Sequence, residues 1–161
     1  MAFHYRNAYW LWLSAGVMLV DQVTKQIVVK KLGWFDVQPV FAQFNIVHMR
    51  NTGAAFSMMR NAPPLFFILL GVAVSAAILV WMRRNPVGQE RVAAGLALIL
   101  GGALGNVIDR VTRGYVIDFL DFYLGGWHYP AFNVADSAIT IGAGLLILDM
   151  LMDAQRQRAQ A

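Results

Sequence analysis

The chain has 161 residues, 58% of them hydrophobic and only 14% charged, with no cysteine and a formal net charge of +4. That is too apolar for an ordinary water-soluble domain of this length, and it excludes disulfide frameworks, thiolate metal sites and cysteine nucleophiles. The Lys and Arg residues sit in short clusters at the ends of apolar runs, a placement that suits anionic lipid head groups, so membrane lipids are an expected partner and nucleic acid is not.

A helix needs about 17 to 25 residues to cross a hydrocarbon core. Four stretches meet that length: residues 8–29, 65–82, 92–111 and 136–152. Arg6 ahead of the first stretch imitates a signal peptide, but no small-x-small cleavage site follows and Asp21 and Lys25 interrupt the run, so a retained span is expected. Asp21 and Lys25 stand four apart, one above the other on a helix, and read as a local ion pair or else as a direct substrate contact.

Residues 30–64 form a first outer segment. Phe44 to Met49 is rich in β-branched and aromatic residues and reads as a strand, 54–59 as a short amphipathic helix lying on the interface, and Pro63-Pro64 as a turn. After the second span comes a short loop with Arg83, Arg84 and Arg91. The third span carries Gly101 and Gly105 at GxxxG spacing, read as a helix-packing face, and ends on Asp109-Arg110, read as scaffolding in which the arginine reaches a carboxylate or a loop carbonyl. In the second outer segment, 112–135, Tyr115 to Phe119 reads as a strand and Gly125-Gly126 as a turn; Trp34, Trp127 and Tyr129 suit the interface. The fourth span opens at Asp136, repeats the small-residue spacing at Ala138 and Gly142, and gives way to a polar tail after Asp153.

These elements predict one integral membrane domain over residues 1–161. It is all-α with a small β part: four transmembrane helices, a small extracytoplasmic sheet and a short amphipathic helix. An even number of spans places both termini on one side, and Arg6, Arg83, Arg84, Arg91, Arg156 and Arg158 favour the cytoplasm for that side. Lys30, Lys31, Arg50, Arg60, Arg110 and Arg113 fall on the other side and weaken the bias.

Ionisable groups in or beside a span are costly unless paired or facing a cavity. Asp118, in the apolar context Val-Ile-Asp-Phe-Leu, and Asp136, at the start of the last span, stand at matching depths on either side of a loop that turns at Gly125-Gly126. Asp136 also fits a helix N-cap. If the two carboxylates meet, like charges cannot both ionise easily and the pair shares a proton. One member then activates water while the other stabilises the oxyanion of a scissile carbonyl. Zinc chemistry fits poorly, because His4, His48 and His128 are dispersed and HExxH is lacking. G-x-S-x-G is lacking too, and Gly101 to Gly105 has no GK[ST].

The motifs Asp21 with Lys25, Asn51-Thr52-Gly53-Ala54-Ala55-Phe56, Gly101 to Asn106 running into Asp109-Arg110, Val116-Ile117-Asp118-Phe119 and Phe132-Asn133-Val134-Ala135-Asp136 lie in one order over nearly the whole chain. In this the chain resembles the lipoprotein signal peptidases (signal peptidase II). The resemblance implies a bacterial inner-membrane aspartic endopeptidase without a metal or other cofactor, which removes the signal peptide from diacylglyceryl-modified prolipoproteins before the lipidated cysteine. It implies Asp118 and Asp136 as the catalytic dyad. Asn51, Gly53, Asn106, Asp109, Arg110 and Asn133, with Asp21 and Lys25, would bind substrate or brace the site. The active site is expected near the outer leaflet of a monomer, with small residues on the third and fourth spans leaving room for the substrate helix. The alternatives are a small transporter or proton channel using Asp21, Lys25, Asp109 and Arg110 as a relay through broken helices, and a non-enzymatic assembly subunit.

Overall fold

The computed structural model describes residues 8–53 and 61–160. Helix α1 spans Trp10–Lys31, and two strands, β1 (Val37–Phe41) and β2 (Phe44–Asn51), follow it. Helices α2 (Pro64–Arg84) and α3 (Glu90–Arg113) come next, then strands β3 (Val116–Leu124) and β4 (Trp127–His128), and finally α4 (Val134–Gln160). The expected amphipathic helix at 54–59 lies outside the described residues.

By length and composition α2, α3 and α4 are long and apolar enough to cross a membrane. Helix α1 has 22 residues, about 33 Å at 1.5 Å per residue, but carries buried Asp21 and Lys25. Pro63 and Pro64 do not form a turn; Pro63 is the N-cap of α2 and Pro64 its first residue, where a missing N–H costs nothing. The fourth helix is longer than expected, starting two residues earlier and continuing through the polar tail.

Helix α3 is the centre of the bundle, packed by α1, α2 and α4. One apolar cluster joins α2 to α3 through Ile78, Met82, Val92, Leu96, Ala97 and Leu100. The glycine spacing on α3 works as a packing face, and both sides of it are filled. Ser14 and Val17 of α1 lie against Gly101, Ala135 and Ile139 of α4 against Gly102, and the Gly142 carbonyl against Gly95. The expected room for a substrate helix along these stripes is therefore absent; α1 and α4 occupy it.

The four strands form one antiparallel sheet in the order β1-β2-β3-β4. Gly125 (φ 56°) and Gly126 (φ 83°) make the tight β3–β4 turn, where two consecutive positive φ angles favour glycine. The sheet packs on the helix ends through Ile117 and Phe119 against Val28. Gly114, left-handed at φ 81°, ends α3 with its N–H on the Arg110 carbonyl and turns the chain directly into β3. Each helix is continuous, unlike the broken helices of the transporter alternative.

Candidate active site

Asp118 lies in β3 and Asp136 in the first turn of α4. The two elements are clamped where Phe119 and Leu120 donate their N–H groups to the Phe132 carbonyl. Asn133 then caps α4: its Oδ1 accepts the Asp136 N–H at 2.9 Å, and Asp136 Oδ2 accepts the Asn133 N–H at 3.3 Å. This reciprocal capping box makes Asn133, and not Asp136, the N-cap, so the simple cap reading of Asp136 is corrected by one turn of geometry.

The same Asn133 also donates from Nδ2 to Asp118 Oδ1 at 2.7 Å, so one side chain touches both acidic residues. Asn51, at the end of β2, donates to Asp118 Oδ2 at 2.9 Å and accepts the Gly53 N–H at 3.0 Å. Asn106 of α3 donates to Asp136 Oδ1 at 2.8 Å. Both carboxylates open on a cleft of about 1220 Å³ whose walls include Asn51, Gly53, Asn106 and Arg110 and the aromatic rings of Phe35, Phe122 and Tyr129. Burial, reinforced by the neighbouring Asp136 charge, pushes the Asp118 carboxyl up from 3.8 to about 7; the amides of Asn51 and Asn133 and the Lys25 charge restrain that rise.

Arg110 reaches a loop carbonyl, as its position at the end of the span predicts. Its guanidinium donates to Gly53 O at 2.7 Å and lies 4.8 Å from the Phe67 ring centroid, fixing the Asn51–Gly53 corner against α2 and α3. Asp21, Lys25 and Asp109 are fully buried behind the cleft and do not line it, which removes the direct substrate contact considered for the Asp21–Lys25 pair. Lys25 Nζ bridges Asp21 (2.8 Å) and Asp109 (2.9 Å). Asp21 accepts the Ala135 N–H and Asp109 the Ile117 N–H, so this ion cluster ties α1 and α3 to the entries of α4 and β3.

Sequence reasoning missed Gln22, Arg113, Asn45, Asp121 and His128. Gln22 donates to Asp21, Gly105 O and Asp109, and Arg113 pairs with Asp109 one turn away. The i,i+4 spacing of Asp109 and Arg113 was the available signal for that pair. Buried Asp121 accepts from Asn45 at 2.8 Å and meets His128 Nδ1 at 2.8 Å. Nothing local in the sequence announces that triangle. Chemically, the site offers one buried carboxyl group, Asp118, and one half-buried, Asp136, in one cleft, each held by neutral amide donors.

A model of the family described as signal peptidase (SPase) II matches residues 13–152. The lipoprotein signal peptidase of Alteromonas mediterranea is 46% identical over 150 residues, covering 91% of this chain and 82% of its own length. That of Cupriavidus taiwanensis is 50% identical over 145 residues, covering 88% and 82%. A solved bacterial membrane enzyme superposes with a TM-score of 0.86 at 32% identity, covering 92% of this chain and 91% of its own.

Proposed function

The chain belongs to the signal peptidase II family, and from that premise we propose that it cleaves prolipoproteins with water activated between Asp118 and Asp136. The enzyme is a lipoprotein signal peptidase, an aspartic peptidase of the bacterial inner membrane acting on prolipoproteins. The observation that carries the dyad is the double grip of Asn133, whose amide holds Asp118 while its carbonyl oxygen caps the turn bearing Asp136.

In this reading one carboxylate takes a proton from water as it attacks the scissile carbonyl. The other, protonated, hydrogen-bonds the developing oxyanion, and a proton then passes to the leaving nitrogen. Asn51, Gly53, Asn106, Arg110 and Asn133 support the pair, and Asp21, Lys25 and Asp109 brace it from behind.

The proposed architecture has four spans, with α1 as the fourth. Its polar residues Asp21, Gln22 and Lys25 turn toward α3, while Leu19, Val20, Val23 and Ile27 are exposed on the outside of the bundle, where lipid would cover them. Both termini are then cytoplasmic and the cleft lies at the outer leaflet, where the signal-peptide helix approaches from the bilayer. The enzyme acts as a monomer.

The test is cleavage of a diacylglyceryl-modified prolipoprotein by the purified enzyme. Asp118→Asn and Asp136→Asn are each expected to lower turnover by about 10³-fold or more, because each removes a group that reacts in the transition state. Ordinary cleavage by either variant sinks the dyad.

A further inference from the structure

The ammonium of Lys25 has three N–H donors and three acceptors around it: Asp21 Oδ2 at 2.8 Å, Asp109 Oδ2 at 2.9 Å and Asn106 Oδ1 at 3.1 Å. Two carboxylates more than balance its charge; the third contact fixes an amide. With Oδ1 held by the ammonium, Asn106 can offer Asp136 only its Nδ2, at 2.8 Å. Turning the amide over would set N–H groups against the ammonium and lone pairs against Asp136. A proton on Asp136 Oδ1 would meet that same N–H group.

Asp136 Oδ2 also faces a donor, the Asn133 backbone N–H, and the residue stands in the first turn of α4, where the helix dipole favours negative charge. Asp118 accepts two amides as well, but it lies within a strand, and among the described residues neither of its amides is held by a cation.

We propose that Lys25 is a positioning residue which, acting through Asn106, keeps Asp136 ionised and leaves the shared proton of the pair on Asp118. The proposal rests on the dyad reading above and sharpens it: Asp136 becomes the base that takes the proton of water, and Asp118 the acid that bonds the carbonyl oxygen. Among the described residues, the charged groups around Asp136 are Asp21 and Lys25 from α1, Arg110 from α3 with the Asp109–Arg113 pair behind it, and Asp118 from β3.

The experiment compares Asp21→Asn with Asp21→Asn/Lys25→Met on a diacylglyceryl-modified prolipoprotein, following kcat and KM against pH. Removing the lysine together with one of its carboxylates leaves Asp109 still paired with Arg113, so the cluster stays balanced. Without Lys25 the acid limb of kcat is expected to move up by about one pH unit, so that kcat on that limb falls about tenfold, with KM little changed. A lysine that only held the fold would lower the melting temperature and leave the limb in place. Asn106→Ala, at the cleft wall, breaks the same link while leaving both carboxylates on Lys25, and should move the limb in the same direction. An unmoved limb in either folded variant overturns the proposal. Failure of the dyad itself reads out separately, as cleavage by Asp118→Asn or Asp136→Asn.

Discussion

Three asparagines each point one amide N–H group at a carboxylate, and a second contact pins each amide: Gly53 N–H on Asn51, Lys25 on Asn106, Asp136 N–H on Asn133. An amide gives a donor without adding a charge, so it can hold a carboxylate in place without abolishing its proton affinity. The folded state raises the Asp118 carboxyl to about 7 from 3.8, so it holds that proton more tightly than the unfolded chain. The stability from this group is therefore fully present below pH 3.8 and is lost as pH rises through about 7. Asn51 favours the charged form; in Asn51→Ala the proton is kept to higher pH. The alkaline limb of activity should move up by about one pH unit with kcat down about tenfold, as a pH–rate profile will read; a downward move contradicts it. The motif residues were legible in the sequence because each stands in a short recognisable string. The Asn45–Asp121–His128 triangle was not, since Asn45 and Asp121 lie 76 positions apart and meet only once β2 and β3 pair.

At the scale of elements, α3 decides how closely the others approach. A Cβ on Gly102 would drive into the Ala135 carbonyl and lie 2.8 Å from Ile139 Cγ1, one residue from Asp136. Gly102→Leu should therefore push α4 off α3, costing about 1 to 3 kcal/mol of stability and disturbing the dyad as well. Gly16, with nothing within 4 Å of its would-be Cβ, should accept alanine with melting temperature and turnover close to wild type. Thermal denaturation and cleavage assays on the two variants check both halves. The sequence showed the small-residue spacing but not its partners, because close helix approach and an empty groove need the same residues. It likewise placed Asp136 at the start of a helix but missed the capping role of Asn133, since asparagine and aspartate are equally good first residues.

At the scale of the molecule, the proposed four-span topology puts both ends of the chain in the cytoplasm, and a compartment-sensitive reporter fused after Arg158 should report that side; an extracytoplasmic signal would invert the scheme. Helix positions and the sheet were readable from apolar runs and β-branched clusters, but the length of α4 was not, because its last turns are polar. Helix α1 is harder to read by composition, because its polar residues only make sense once α3 is beside it. One contact spans most of the chain: Asp21 in the first helix accepts the N–H of Ala135, 114 residues later, at the entry to the last. Biosynthesis runs through those residues in order. A nascent chain inserted only as far as α3 has Asp118 still to come and nothing to seat the α4 turn, so the peptidase stays inert in the membrane until its final helix is delivered.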